Sequence, residues 1–460
     1  MRNSNATSLQ RHRQGTESPL SRTRPVRLVS RAAAIASMAL AIAGAEAHFL
    51  TAAPPGNDTI VVTTTAELEA ALVPANEGRR ILVRAGEYVL SQALTVPDDA
   101  TLVGEGDMSF DESGLPIGFE PAGRTVLKST MALVGDVLTL GDGSTVRGFV
   151  IEDAAGRLTG NAVVVSSRAP GDSVSATVVE CEIINPNPSG IVPQGPSGRG
   201  LLVITRNLNL GQAPPPHEDA VLSARLQRSI IHAPAGGSGV FAINFASHAE
   251  IQLVLERNVI GGGLDANGGV SRPDAVTGAS LSIQSTRNLY RSDSATPTAV
   301  GWRMSGGSTA PIPGLVSEAS TSNSLQMQSS DDAIEGFATG VSAIGGLRST
   351  ATGGLILSNS LDLNFHGLQL ATTTADLQLF GARSLVDGVS PGDGNTLRML
   401  LRQATGSGPR ANQYADSATP SMTNLGVGNE LEMTGSIKAF VRTNDGIDPI
   451  PPAEFFTEQK

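Results

Sequence analysis

Through most of the chain, apolar residues recur at every second position in short runs, each followed by a polar corner and another short run. Ile251, Leu253 and Leu255 alternate with Gln252, Val254 and Glu256, and Leu281 and Ile283 with Ser282 and Gln284. A period of two belongs to strands, whose side chains alternate between faces, and not to helices. The segments that begin at Leu222 (LSARLQRSII), Ile251 (IQLVLERNVI), Leu281 (LSIQSTRNLY), Leu325 (LQMQSSDDAI), Leu355 (LILSNSLDLN) and Leu377 (LQLFGARSLV) align with one another. Weaker copies stand at Val146–Ile151, Thr177–Val179 and Leu202–Ile204.

Starts 22 to 44 residues apart mark a repeat architecture. Past the third inward position the alignment sets Arg228, Arg257, Arg287, Asp331, Leu361 and Arg383 in one column. The next column holds Ser229, Asn258, Asn288, Asp332, Asp362 and Ser384. Small polar residues in that second column suit a tight corner, since Asn and Asp tolerate left-handed backbone angles. Two or three strands per unit, with no helix between them, exclude a βαβ sheet. The short intervals also fit poorly to propeller blades of about 40–50 residues. The pattern predicts coils stacked in parallel at about 4.8 Å, with inward side chains merged into one core that no single repeat could bury.

The amino-terminal part adds a cap. Thr64 and Glu67 have capping-box spacing, Leu68 and Leu72 lie one turn apart, and Pro74 ends the helix they predict. Ile81-Leu82-Val83-Arg84-Ala85-Gly86-Glu87-Tyr88 follows, then Leu94-Thr95-Val96-Pro97 and Gly104-Glu105-Gly106. This succession, over about residues 58–107, resembles the start of right-handed parallel β-helix proteins of the pectin-lyase-like superfamily, and the coil pattern extends the resemblance loosely to about 440. It implies an all-β, right-handed parallel β-helix of about ten coils with a short N-terminal capping helix. The divisions expected are a signal peptide over 1–47, cap and first coils over 48–107, the β-helix over 108–440 and a C-terminal cap or tail over 441–460, with Phe455 and Phe456.

Composition changes this picture in three ways. Seven arginines precede the Ala-rich stretch Ala32–Gly44, which ends in Ala45-Glu46-Ala47. That is the order of a secretory signal, so a secreted, periplasmic or cell-surface protein is expected, with no transmembrane span in the mature chain. The formal charge of −11 for 460 residues becomes more negative once that basic segment is removed, which argues against a nucleic-acid partner. The single Cys181 cannot form an internal disulfide, and its alternating surroundings read as a strand residue, not a nucleophile.

Candidate chemistry is sparse. The resemblance implies proteins that bind polysaccharide or cleave it, by hydrolysis with paired carboxylates or by β-elimination. Toward the hydrolase pattern the chain offers Asp331 and Asp332, with His366-Gly367 further on, but no Asn-x-Asp and no Arg-x-Lys. The lyases use an Arg or Lys base beside Ca²⁺. Lysine occurs only at 128, 438 and 460, so Arg228, Arg257 and Arg287, one per consecutive coil, are the candidates. The same arginines would form a cationic stripe for an anionic glycan, and Tyr290 and Trp302 are the preferred aromatic sugar contacts. No carboxylate cluster reads as a metal cage, and the histidines lack ligand spacing. No cofactor is expected, Ca²⁺ being the ion that the lyase pattern would bring. Gly261–Gly269 is similar to one irregular copy of a calcium-binding nonapeptide and reads as a flexible loop. Three functions stay open: a polysaccharide-binding β-helix, an active lyase or hydrolase, and a structural or adhesive rod.

Overall fold

The computed structural model describes residues 59–443, apart from 193–194, 206–216, 235–236, 272–273, 293–298, 311–317, 350–353, 386–388, 407–410, 416–427 and 436–440. The expected signal segment and the tail with Phe440, Phe455 and Phe456 lie outside the described residues. Three long sheets carry the fold: sheet 1 with twelve strands, sheet 2 with ten and sheet 3 with twelve. Within them every strand pairs in parallel with the equivalent strand of the next coil. One coil reads Glu250–Glu256 in sheet 1, Val259–Gly261 in sheet 2 and Leu264–Asn267 in sheet 3. Each pairs residue for residue with the coil that follows, as Ile251 with Leu281 and Leu253 with Ile283. The chain is a parallel β-helix.

Inward residues from all three sheets make a single buried cluster that runs from Val62 to Met433. The helix Thr65–Ala71 adds Leu68 and Ala71 to its first end. Its capping box is present as read: the Thr64 hydroxyl accepts from the Glu67 N–H, and the Glu67 carboxylate accepts from Thr63 and Thr64. An antiparallel hairpin, Met108–Phe110 with Pro116–Phe119, lays Met108 and Phe119 over Val126, Val150, Ile230 and Val259 on the outside of sheet 2.

Sheet 1 is bounded by a corner at each end of every strand, and the corner that follows the strand differs from the expectation. Positive φ falls on the first column, at Arg228 (45°), Arg257 (53°), Arg287 (54°) and Asp331 (56°), and not on the Asn residues after them. Those Asn side chains turn inward. Asn258 donates from its backbone N–H and from Nδ2 to Asn288 Oδ1, both at 2.9 Å, and Asn288 does the same to Asp332 Oδ1 at 2.7 and 3.0 Å. Before the ladder stand Cys181 and Ser229, whose hydroxyl accepts from the Cys181 N–H. Cys181 is thus a corner residue just ahead of the strand Glu182–Ile184, fully buried, and burial pushes its thiol up to about 12.

At the opposite corner a second ladder links Asn323, Asn359, Asn395 and Asn429 in the same two-donor manner. It also corrects the alignment of the last repeats. Leu325 pairs with Leu361, and Leu361 with Leu397, whereas the Leu377 segment belongs to sheet 3 beside Val341. Leu-x-Leu alternation is common to all three sheets and cannot tell them apart. The Asn immediately before each of these sheet 1 strands, one per coil, can.

Gly261–Gly269 is likewise no flexible loop. Gly262 and Gly263 make the turn at φ 75° and 79°, Leu264–Asn267 is a sheet 3 strand, and Gly268-Gly269 begins a stacked glycine pair continued by Gly306-Gly307 and Gly345-Gly346. The second glycine of each pair lies against Asn323, Asn359 or Asn395 of the ladder. A side chain there would occupy the place of the ladder amide.

Candidate functional site

The arginine column is where the sequence puts it, one residue per coil on the corner between sheets 1 and 2. Each backbone N–H still reaches the next coil: Arg228 to Glu256 O, Arg257 to Thr286 O and Arg287 to Ser330 O, all at 2.9 Å. Acidic residues flank the three cations, with Glu180 on the coil before and Asp331 on the coil after. Glu180 pairs with Arg228 at 2.7 Å and with Arg147 at 2.7 Å. Arg228 also lies 6.0 Å from the Phe110 ring of the hairpin, so it is engaged within the fold. Arg257 and Arg287 have no ion pair among the described residues. Repulsion between neighbours is about 1 kcal/mol or less at water-like screening, a cost the exposed corner tolerates.

Asp331 and Asp332 cannot work as a carboxylate pair on one bond. Asp331 is exposed, with His366 Nδ1 at 4.0 Å, while Asp332 has no exposed surface and ends the asparagine ladder. Its carboxylate accepts from Asn288 and from the Ser329 hydroxyl at 2.6 Å. Burial raises its pKa to about 6, opposed by those hydrogen bonds. The sign of the linkage follows. Below about pH 4 the acid is protonated in both folded and unfolded chains. As pH rises to about 6, only the unfolded chain ionises, and stability falls by on the order of 2–3 kcal/mol before levelling. Asp332→Asn keeps an acceptor for Asn288 and removes the ionisation. We expect the variant to be more stable than wild type at pH 7 and to lose the slope between pH 4 and 6, as read by denaturant midpoints across that range.

Tyr290 and Trp302 are also displaced from their expected role. Both are fully buried, with ring centroids 5.2 Å apart and perpendicular, and Phe365 packs on Trp302 at 5.2 Å. Tyr290 shares a hydrogen bond with Ser285 at 2.9 Å. The period-two pattern points both inward, where an aromatic ring fills the core and meets no sugar.

Sequence reasoning missed the open face of sheet 1. Outward side chains form columns across the strands: Gln252, Ser282, Gln326, Asp362, Arg398 and Glu432 in one, and Gln284, Gln328 and Asn364 in the next. The last four strands enclose a shallow groove of about 340 Å³ lined by Gln326, Gln328, Asp362, Asn364, Arg398 and Glu432. Arg398 stands between two acids, 3.9 Å from Asp362 and 3.4 Å from Glu432. Asp362 is shifted up, chiefly by burial, against the pull of Arg398. The signal lay in the same repeats that predicted the strands, at the polar positions between the leucines.

No protein-family model and no curated protein matches the chain. Among solved structures, it is similar to the catalytic unit of a thermostable GH87 α-1,3-glucanase from Streptomyces thermodiastaticus strain HF3-3, at 11% identity over 87% of this chain and 73% of that one, TM-score 0.32. The tailspike protein gp49 from Acinetobacter baumannii bacteriophage Fri1, a capsular polysaccharide depolymerase, gives 9% identity over 86% and 65%, TM-score 0.26. A family 28 exopolygalacturonase of Yersinia enterocolitica gives 9% over 85% and 79%, TM-score 0.19. Among the described residues of this β-helix no three His, Cys, Asp or Glu gather as metal ligands, and no helix is long and apolar enough to cross a membrane.

Proposed function

We propose that the protein is an exported β-helix that binds polysaccharide across the outer face of sheet 1, with Arg257 and Arg287 at the edge of that face favouring acidic sugars. The observation that carries this reading is the set of in-register outward columns. Amide, carboxylate and guanidinium groups recur there at the strand spacing of about 4.8 Å, each able to donate to or accept from sugar hydroxyls. A binding surface that repeats suits a ligand that repeats. The groove over the last four strands adds concavity to an otherwise flat face, and Arg398 with Asp362 and Glu432 supplies charge-assisted hydrogen bonds there.

Affinity electrophoresis of the purified chain in gels containing uronate or neutral polysaccharides tests the reading. Retardation by at least one polymer is expected. Gln326→Ala with Arg398→Ala should weaken it at least about tenfold, since a lost charged hydrogen bond is worth roughly 1.5–3 kcal/mol. Arg257→Ala with Arg287→Ala should weaken uronate polymers more than neutral ones. Retardation that both pairs leave unchanged would move the binding face elsewhere, and new reducing ends during incubation would favour the hydrolase alternative.

A further inference from the structure

A second feature lies on the outside of sheet 3, away from the groove. In register across four strands, the outward positions are Leu202, Phe241, Asp265 and Arg303. Arg199 stands two residues before the strand Leu201–Ile204, and its guanidinium carbon lies 4.8 Å from the centre of the Phe241 ring. Its backbone is fixed: the N–H donates to Asn161 Oδ1 at 3.1 Å, and the C=O accepts from Asn185 Nδ2 at 2.9 Å. Its head group is not satisfied. Arg199 is 5% exposed, yet Nε and Nη1 are buried with no hydrogen-bond partner among the described residues.

The nearby acid does not remedy this, because Asp265 is already engaged. It accepts from the Ser238 hydroxyl and pairs with Arg303 at 3.5 Å. The charges of Arg199 and Arg303 both act on the one Asp265 carboxylate, with which only Arg303 pairs, so among these three groups one positive charge is in surplus. A buried, uncompensated cation costs several kcal/mol, and each unpaired buried donor adds to that. Burial lowers the Arg199 pKa to about 10, so it remains charged near neutrality. The Phe241 ring under the guanidinium offsets only part of these costs.

We propose that Arg199, with Arg303 beside it, forms a binding site for the carboxylate of a small acidic ligand, and that Phe241 and Leu202 form the apolar wall against its body. One surplus charge matches a monoanion. A phosphate dianion would instead leave negative charge buried. The site stands independently of the sheet 1 groove, and failure of either leaves the other intact.

Thermal melts of wild type and Arg199→Met, with sodium glucuronate, glucose, sodium sulfate and sodium phosphate at matched ionic strength, test the assignment. Glucuronate should raise the wild-type Tm saturably and glucose should not. Without ligand, Arg199→Met should melt at or above wild type, because a buried unpaired charge has been removed, and glucuronate should no longer shift it. Sulfate and phosphate are read as the difference between the two proteins, since both ions stabilise folded chains generally. The proposal is overturned if glucuronate leaves wild type unmoved or shifts both proteins alike. It is equally overturned if the variant melts lower or fails to fold, which would make Arg199 structural. A sulfate or phosphate difference at least as large as that of glucuronate would overturn the carboxylate assignment.

Discussion

Gly306→Ala should yield no soluble folded protein. The residue needs no positive φ, so the effect is steric. A Cβ at this position would stand 2.5 Å from the carbonyl oxygen of Ser360 and 2.6 Å from that of Gly345. Both are backbone atoms, Gly345 in the sheet 3 strand of the next coil and Ser360 at the start of the sheet 1 strand after it, and neither can turn aside as a flexible side chain would. Relief requires sheets 1 and 3 to move apart at one coil, which breaks ladder hydrogen bonds on both sides. The neighbouring Gly307 faces Asn359, so the disturbance reaches the asparagine ladder as well. Gly114→Ala is the control: its φ is 80°, no atom lies within 4 Å of the added carbon, and the expected cost is about 1 kcal/mol of backbone strain. Expression at matched level, fractionated into soluble and insoluble protein, separates the two outcomes.

Asn288→Ala should be the most damaging change to the ladder, by on the order of 3–5 kcal/mol. The side chain accepts two hydrogen bonds from Asn258. Its two Nδ2 hydrogens are shared among the Leu255 carbonyl, the Ser285 hydroxyl and Asp332. Alanine leaves buried donors and a buried carbonyl unpaired at about 1–3 kcal/mol each, partly relieved by local adjustment. The guanidinium chloride midpoint should fall clearly, with the far-ultraviolet spectrum of the folded state unchanged. A midpoint equal to wild type would mean that the ladder is incidental to stability.

The coils were legible in the sequence because burial imposes period two on every strand that faces the core. The capping helix was legible because its cap depends on two residues three apart. What alternation cannot convey is which sheet a strand joins, and the Leu355 and Leu377 segments were placed in the wrong column for that reason. Nor does it separate a buried aromatic residue from an exposed one without the register, so Tyr290 and Trp302 looked available for a sugar. Corner chemistry misled in the opposite sense. Asn was expected to take the left-handed angle, but its amide is worth more inside the ladder, and Arg takes the strained angle on the open side. The sheet 1 groove was overlooked because no residue in it is unusual alone. It consists of ordinary amides and acids that only the pairing of four strands brings together. Arg199 carried no sequence signal, since its distinction is a missing partner.

The helix over Leu68 and Ala71 also governs the order in which the molecule can be assembled. When the chain emerges amino end first, from a ribosome or across a membrane, the part that appears early carries the seal for its own end of the stack. Each later coil finds one finished neighbour, with its donors and acceptors set in register, and closes a loop of only a few tens of residues. The growing protein therefore has a single open edge at any moment, always the one most recently made. Assembly in that order would confine the hazard of edge-to-edge pairing with other chains to that moving front.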